Sequence, residues 1–292
     1  MADGVFAFIQ PHGGWWVNNA GFVVGDELTL IDTSSTQRRT VALQDAIRRV
    51  TQQRASLLVN THHHGDHTNG NCLFPEAVVV GHTRCREEML NQGIGGLDAI
   101  FGAVEWGDLS TRPPTVVFDD TLSIRAGVDI EVCHIGGPAH TVGDSFVWIP
   151  DRSVLFTGDL AFNGGTPFFL MGSLQGSLSA LATLRALGAQ TVIPGHGETC
   201  DATVFDAVES YLGWVQNLAA QARAAGLSPL QAALEADLGP WEDLLHPERL
   251  AGNLHRAYAE LEGEAPGAPV DIGAAFADMI AFNGGRPLDC WA

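Results

Sequence analysis

Residues 60–71 read NTHHHGDHTNGN. Four of the eleven histidines of this 292-residue chain lie within six of these positions, with an aspartate among them. Terminal tags and low-complexity metal-scavenging tracts also crowd imidazoles. This cluster is internal, however, and its order, His62-x-His64-x-Asp66-His67, is interrupted by Gly65. The run before it, Ala55–Asn60, reads as a short buried strand. Side chains two apart on an extended segment point the same way, so His62 and His64 can share one metal ion. A turn at Gly65 then lets Asp66 and His67 face a second point nearby. Neutral imidazole and carboxylate suit zinc, with iron and manganese as alternatives. Such a site demands ligands from elsewhere in the chain.

The remaining composition bounds the answer. The length suits one large domain or a domain with an appendage, and 46% apolar residues supply a sizeable core. No apolar run approaches the roughly 18–20 residues of a membrane span. The start, MADGVFAFIQ, lacks the basic residues and long apolar core of a secretion signal. The five cysteines (Cys72, Cys85, Cys133, Cys200, Cys290) are scattered, with no C-x-x-C pair, and read as reduced thiols of a cytoplasmic protein. All fifteen basic residues are arginine and the net charge is −19. Lysine chemistry is therefore excluded. Neither a nucleic-acid nor a membrane partner is expected, since phosphate-backbone binding needs a concentrated basic face.

Along the chain, strands are expected at Val5–Gln10, Trp15–Val24 and Glu27–Asp32, then a helix over Thr36–Thr51 and the strand before the histidines. Ala77–Val80 reads as a strand and Thr83–Asn91 as a helix. Residues 92–107, rich in glycine and aromatics, read as a lid. Strands follow near 115–118, 121–125, 128–134, 145–149 and 153–157. A helix over 173–187 carries Leu174, Leu178, Leu181, Leu184 and Leu187 on one stripe, and Thr191–Ile193 is a short strand. From about Asp201 the pattern is helical. Two sheets packed together with helices outside, an α/β sandwich, account for this order, with a core over residues 1–200 and a helical extension over 201–292. The string AFNGG occurs at 161–165 and at 281–285 and reads as shared turn chemistry, not as a repeat.

Three later stretches answer the demand for ligands. Gly136–Thr141 puts His140 just after a strand, Leu155–Asp159 ends another strand with Asp159, and Ile193–Gly197 ends a third with His196. Each polar residue stands beside glycine at a strand end, where loops carry sites on a rigid scaffold.

At this point the chain resembles the metallo-β-lactamase superfamily, on HxHxDH at 62–67 together with His140, Asp159 and His196. The resemblance implies the αββα sandwich and a binuclear zinc site. His62, His64 and His140 would hold one ion, Asp66, His67 and His196 the second, and Asp159 would bridge them. Asp159 stands where some true β-lactamases carry cysteine. The carboxylate-bridged pattern is that of thioesterases, lactonases and glyoxalase II. Two close metals make hydroxide from a shared water and polarise a carbonyl; Asp66 would also steer the nucleophile or take a proton.

Around these residues Trp15, Trp16, Trp106, Phe162, Phe168, Phe169 and Met171 suggest an apolar, aromatic-lined pocket. Phe162 occupies the place of a tyrosine in acyl-homoserine lactonases, and the chain has only two tyrosines and no lysine with which to bind glutathione. Gly13–Gly21, Arg112–Pro114, Gly137–Thr141, Gly164–Phe168, Arg249–Ala257 and Ala281–Gly285 resemble a subgroup, the second-ring cyclases of aromatic (type II) polyketide pathways, of the actinorhodin type. That resemblance implies a poly-β-ketone on an acyl carrier protein, an aldol ring closure and thioester cleavage. An arginine patch including Arg84, Arg86 or Arg112 would receive the acidic carrier. The alternative is a generic dizinc hydrolase of small thioesters, esters or lactones; an iron oxidoreductase on the same scaffold is a further class, separated by metal analysis. His82 is expected to cap a helix, His63 to face away from the metals, and His134 to pack near the His140 loop.

Overall fold

The computed structural model describes residues 2–10, 13–95 and 97–292. The chain begins with strands β1 (Val5–Phe8), β2 (Ala20–Val24) and β3 (Leu28–Ile31), helix α1 (Gln37–Val50) and β4 (Ala55–Val59). A one-turn helix α2 (Gly65–Thr68) follows, then β5 (Val78–His82), α3 (Thr83–Gln92), the short α4 (Asp98–Phe101) and β6 (Val116–Phe118). These strands form one six-stranded sheet in sequence order, antiparallel over β1–β3 and parallel over β3–β6. The second half contributes β7 (Thr121–Arg125), β8 (Asp129–His134), β9 (Ser145–Ile149), β10 (Val154–Asn163), α5 (Leu174–Ala186) and β11 (Thr191–Gly197). They make a five-stranded sheet in the order β11-β10-β9-β8-β7. Helices α6 (Val204–Ala224), α7 (Pro229–Glu235), α8 (Arg249–Leu261) and α9 (Ile272–Phe282) complete the chain.

Alternation along the strands builds the layers. Ile31, Val59 and Val80 of the first sheet meet Ile130, Val132, Val147, Ile149 and Phe156 of the second, forming the core between sheets. Their neighbours Leu30, Leu58 and Val79 point to the other face, where Leu43 and Ile47 of α1 cover them. Thr36 starts α1 by accepting from the Arg39 amide, and Thr40, Leu43 and Ile47, spaced by three and four, are its buried positions. Each fully buried leucine of this kind contributes about 1.5–3 kcal/mol. Of the leucine stripe on α5, Leu174, Leu181 and Leu184 are buried, in a third core shared with Phe205, Leu212 and Val215 of α6 and Leu250 and Leu254 of α8.

Three expectations change. The span Trp15–Val24 is not one strand: Trp15 makes an isolated bridge to Cys290 and Trp16 has φ +66°, so pairing starts only at Ala20. Strand β10 does not end at Asp159 but runs on to Asn163, with register shifts on both sides of Gly158. Likewise β11 extends to Gly197 and carries His196 within it. Of the expected lid, Gly96 lies outside the described residues, and the rest contains the turn α4. The two AFNGG strings sit in unlike settings, one at the end of β10 and one at the end of α9, sharing positive φ at Gly164, Gly284 and Gly285.

Candidate metal centre

The end of β4 delivers the histidines. Asp32, just past β3, accepts from the Thr61 amide at 2.8 Å and from the Thr61 hydroxyl at 2.7 Å. This clamp fixes the chain as it leaves β4. His62 and His64 then converge, with His62 Nε2 3.2 Å from His64 Nδ1. Gly65 does not supply a turn through positive φ. It is needed for space, since a Cβ there would lie 2.9 Å from both the Trp16 ring and the Asn69 side chain. The α2 turn carries Asp66 and His67.

His140 arrives from the loop between β8 and β9, which Asp144 ties down by accepting from the Thr141 amide at 2.8 Å and from its hydroxyl. Its Nε2 comes within 2.9 Å of His64 Nδ1. Asp159 is aimed by the irregularity in β10, where Gly158 has φ +52°. The neighbouring strand must also be bare: a Cβ on Gly195 would stand 1.8 Å from Asp159 Oδ1. Asn19 holds that stretch of β11 by donating to the Pro194 and Gly197 carbonyls at 2.9 and 2.7 Å. His196 Nε2 then sits 3.3 Å from both Asp66 Oδ2 and Asp159 Oδ2.

All seven residues named from the sequence are thus brought together. His62, His64, His140 and Asp159 form one donor cluster; Asp66, His67 and His196 form another. Asp159 reaches both, with Oδ2 3.3 Å from His140 Nε2 and Oδ1 3.1 Å from His67 Nε2. Four donors at zinc–nitrogen distances around a tetrahedral ion lie about 3.3 Å apart, which matches these separations. A second observation favours metal over a hydrogen-bonded network. His67 Nε2 and Asp159 Oδ1 are buried yet make no well-aligned hydrogen bond, and such orphaned atoms are rare unless an ion completes them. Zinc is the cofactor these sites fit, two ions per chain.

The far nitrogens are also held, which sets tautomer and ring angle. His67 Nδ1 donates to Asp32 at 2.8 Å, His196 Nδ1 to the Val17 carbonyl at 2.9 Å, and His140 Nδ1 to the Phe168 carbonyl. Burial, reinforced by the neighbouring imidazoles, pushes His62 and His64 well below the usual histidine range and so keeps them neutral. Burial acts the same way on His196, but the Asp159 and Asp66 carboxylates outweigh it and raise the ring to about 9. Asp159 is held well below the carboxylate range: burial opposes its charge, and His196, His67 and His140 overcome that.

The two clusters open into a cavity of about 340 Å³ lined by Trp15, Trp16, Phe101, Phe162, Phe168 and Phe276 among others. Met171 lines it too, whereas Trp106 packs behind Trp16, ring centroids 4.7 Å apart. Phe162 stacks on His196 at 5.3 Å and 7°. Gln92, Gly93, Ile94, Gly95 and Leu97 of the expected lid form part of the rim.

Sequence reasoning missed Asp32, Asn19, Asp144 and Arg249, which support or line the site. Asp32 offered a signal, an acidic residue ending a strand, but nothing short of the fold brings it to His67. The expectation of a carrier-binding arginine patch fails for Arg112. Its guanidinium donates to the carbonyls of Asn71, Phe74, Pro75 and Ala77, clamping the segment after the histidines. Arg86 is likewise occupied with the Pro114 carbonyl. His82 caps α3, accepting from the Arg84 amide, and stacks on His134 at 3.9 Å. His63 is outside both clusters, and neither of its ring nitrogens has a hydrogen-bond partner among the described residues. Asn163, the last residue of β10, donates to the Glu198 carbonyl just past β11.

A family model described as "Metallo-beta-lactamase superfamily" matches residues 13–196, and the chain belongs to that superfamily. It is 32% identical over 177 residues to a hydroxyacylglutathione hydrolase of Rhodospirillum rubrum, covering 60% of each protein. It is 28% identical over 201 residues to a cytoplasmic hydroxyacylglutathione hydrolase of Arabidopsis thaliana, covering 64% of this chain and 69% of that one. The first of these matches leaves about two fifths of the relative's length uncovered. Among solved structures, a metallo-beta-lactamase from Pontibacter korlensis superposes with TM-score 0.60 at 21% identity, over 73% of this chain and 96% of that one. That likeness establishes the shared sandwich fold. No described helix is long and apolar enough to cross a membrane.

Proposed function

We propose that this protein is a dizinc hydrolase of acyl thioesters. The observation that carries this reading is the pair of donor clusters sharing Asp159 at the floor of an aromatic-walled cavity. In this reading His62, His64 and His140 hold one zinc, Asp66, His67 and His196 the other, and Asp159 serves both. Zinc bound there supplies Lewis acidity and an activated water near neutral pH. The protein's own part is to exclude bulk solvent with Trp15, Phe162 and Phe168, to fix ligand geometry through Asp32, and to orient the attacking water through Asp66. The relatives named hydroxyacylglutathione hydrolase support thioester cleavage. The five free cysteines fit a reducing, cytoplasmic setting.

A second reading has its own observation. The cavity walls are six aromatic rings with the helices after residue 200 closing one side, which suits a flat fused-ring product. That favours the cyclase of aromatic polyketides with thioester release from an acyl carrier protein, and the division into a core to residue 200 and a helical extension belongs to the same proposal. The zinc-loaded protein, offered a simple acyl thioester and separately a carrier-bound poly-β-ketone, decides between them by mass spectrometry. Metal-dependent hydrolysis of the simple thioester alone supports the hydrolase. A product lighter by water and absent from the metal-free control supports the cyclase. No turnover of either substrate overturns both.

A further inference from the structure

The cavity contains a charge that the metal ligands do not explain. Arg249, in the first turn of α8, is 2% exposed. Its guanidinium carbon stands 4.1 Å from the centre of the Trp15 ring, 5.4 Å from that of Phe162 and 5.9 Å from that of Phe168. No carboxylate among the described residues pairs with it. Its neighbour Glu248 is turned elsewhere, accepting from Trp15 Nε1 at 2.7 Å and from His246 Nδ1 at 3.1 Å. One terminal nitrogen donates to the Thr166 carbonyl at 3.0 Å, while Nε is buried without a hydrogen-bond partner among the described residues. Trp16, which also lines the cavity, has an indole N–H buried in the same unpartnered state.

A buried cation without a counter-ion is costly, and stacking on aromatic faces recovers only part of that cost. The fold nevertheless places Arg249 on the cavity wall, next to the ring that stacks on His196. Phe162 neighbours both, its ring centre 5.4 Å from the Arg249 guanidinium carbon and 5.3 Å from the His196 ring centre, so a ligand group paired with Arg249 lies within reach of an acyl chain held at the donor clusters. Arginine presents a fork of donors that matches two oxygens in a plane.

We propose that Arg249 is a specificity-determining residue that receives an anionic oxygen on the acyl part of the substrate, a few bonds from the carbonyl attacked at the metal centre. The same chemistry can come from a carboxylate or from the enolate of a β-dicarbonyl. This rests on the thioesterase reading for its position relative to the scissile bond, but the binding of the anion does not. The aromatic rings around Arg249 then hold the carbon skeleton while the guanidinium sets its direction. A neutral acyl chain fills the same walls but leaves the guanidinium unpaired, so selectivity arises as much from the unpaired alternative as from the pair itself.

The test has two arms on the zinc-loaded protein. In the first, tryptophan fluorescence follows binding of 2-naphthoate and of the neutral 2-naphthalenemethanol, with no reaction needed. Wild type is expected to prefer the carboxylate by roughly tenfold to a hundredfold. Arg249→Gln is expected to bring the ratio near one, and Arg249→Lys to restore part of it, with zinc content unchanged by elemental analysis. Equal affinity of wild type for the two compounds overturns the proposal, and that measurement needs no variant to fold. In the second arm, kcat/KM is compared for butyryl, acetoacetyl and succinyl thioesters of N-acetylcysteamine. Preference for acetoacetyl identifies the enolate as the source, and preference for succinyl the carboxylate, each lost in Arg249→Gln. An equal fall for all three substrates in Arg249→Gln means a structural role and overturns the proposal. Absence of hydrolysis of every thioester, with the naphthoate preference intact, overturns the thioesterase reading and leaves the anion site standing.

Discussion

Replacing Asp32 by asparagine isolates the contribution of one buried charge to the metal centre. Asp32 receives three donors: the Thr61 amide at one oxygen, and the Thr61 hydroxyl and His67 Nδ1 at the other. Asparagine keeps the volume and tolerates the φ of +59° found at this position. However its amide turns, at least one of the three donors then meets an N–H group. The loss of a charge-assisted hydrogen bond, with one donor left buried and unpaired, costs about 1.5–3 kcal/mol. Because the Nδ1 hydrogen bond sets the tautomer and ring angle that present His67 Nε2 to the candidate metal site, much of that cost is expected to fall on metal affinity, about tenfold to a hundredfold. Thr61 also touches His62 Nδ1 at 3.1 Å, so a smaller loss is expected at the first cluster. Zinc titration against a chromophoric chelator, resolving two sites, measures both, and urea unfolding of the metal-free protein reports the change in fold stability. If Asp32→Asn fills both sites with wild-type affinity and turns over normally, the argument that the far nitrogen governs the ligand is wrong.

Gly195→Ala is expected to lose most activity while retaining helix and sheet content, because its Cβ would fall 1.8 Å from Asp159 Oδ1; metal content and circular dichroism check this together. Arg112→Met is expected to destabilise the fold by roughly 2–4 kcal/mol through loss of its carbonyl clamp, seen as a lower urea midpoint, whereas Arg84→Ala should not move that midpoint. Burial pushes His63 down to about 3, with His140 adding to the effect. A histidine with a depressed folded-state value is neutral in the folded protein, so the unfolded chain gains protons first as pH falls below about 6.5. Stability should therefore drop progressively from about pH 6.5 towards 3, by at most on the order of 5 kcal/mol from this residue. His63→Leu should flatten that part of the profile in metal-free protein; an unchanged slope would show that His63 finds a partner in solution.

The candidate metal-binding residues were legible because their chemistry is local and rare. His62, His64, Asp66 and His67 announce themselves by density alone, Asp159 and His196 by standing beside glycine at strand ends, and His140 by following a strand and the Gly136-Gly137 pair. The layer order was legible too, since the short apolar runs around Ile31, Val59 and Val80 read as buried strands and Thr36–Thr51 as a helix between them. What was misread depended on neighbours. Strand β10 was expected to end with Asp159; pairing with β11 instead carries the strand past the irregularity at Gly158. Arg112 looked like a surface charge, and only the fold brings four backbone carbonyls round it.

The sequence by itself therefore determined the candidate donor set, the α/β layering and the absence of lysine chemistry, all properties of residue type and short-range spacing. Only the tertiary structure decided that Asp32 steadies His67 from 35 positions away, that Gly195 leaves room for Asp159, and that Arg249 enters an aromatic cavity without a counter-ion among the described residues. Those are contacts between distant segments, and their energies depend on burial and approach distance, which no local pattern encodes.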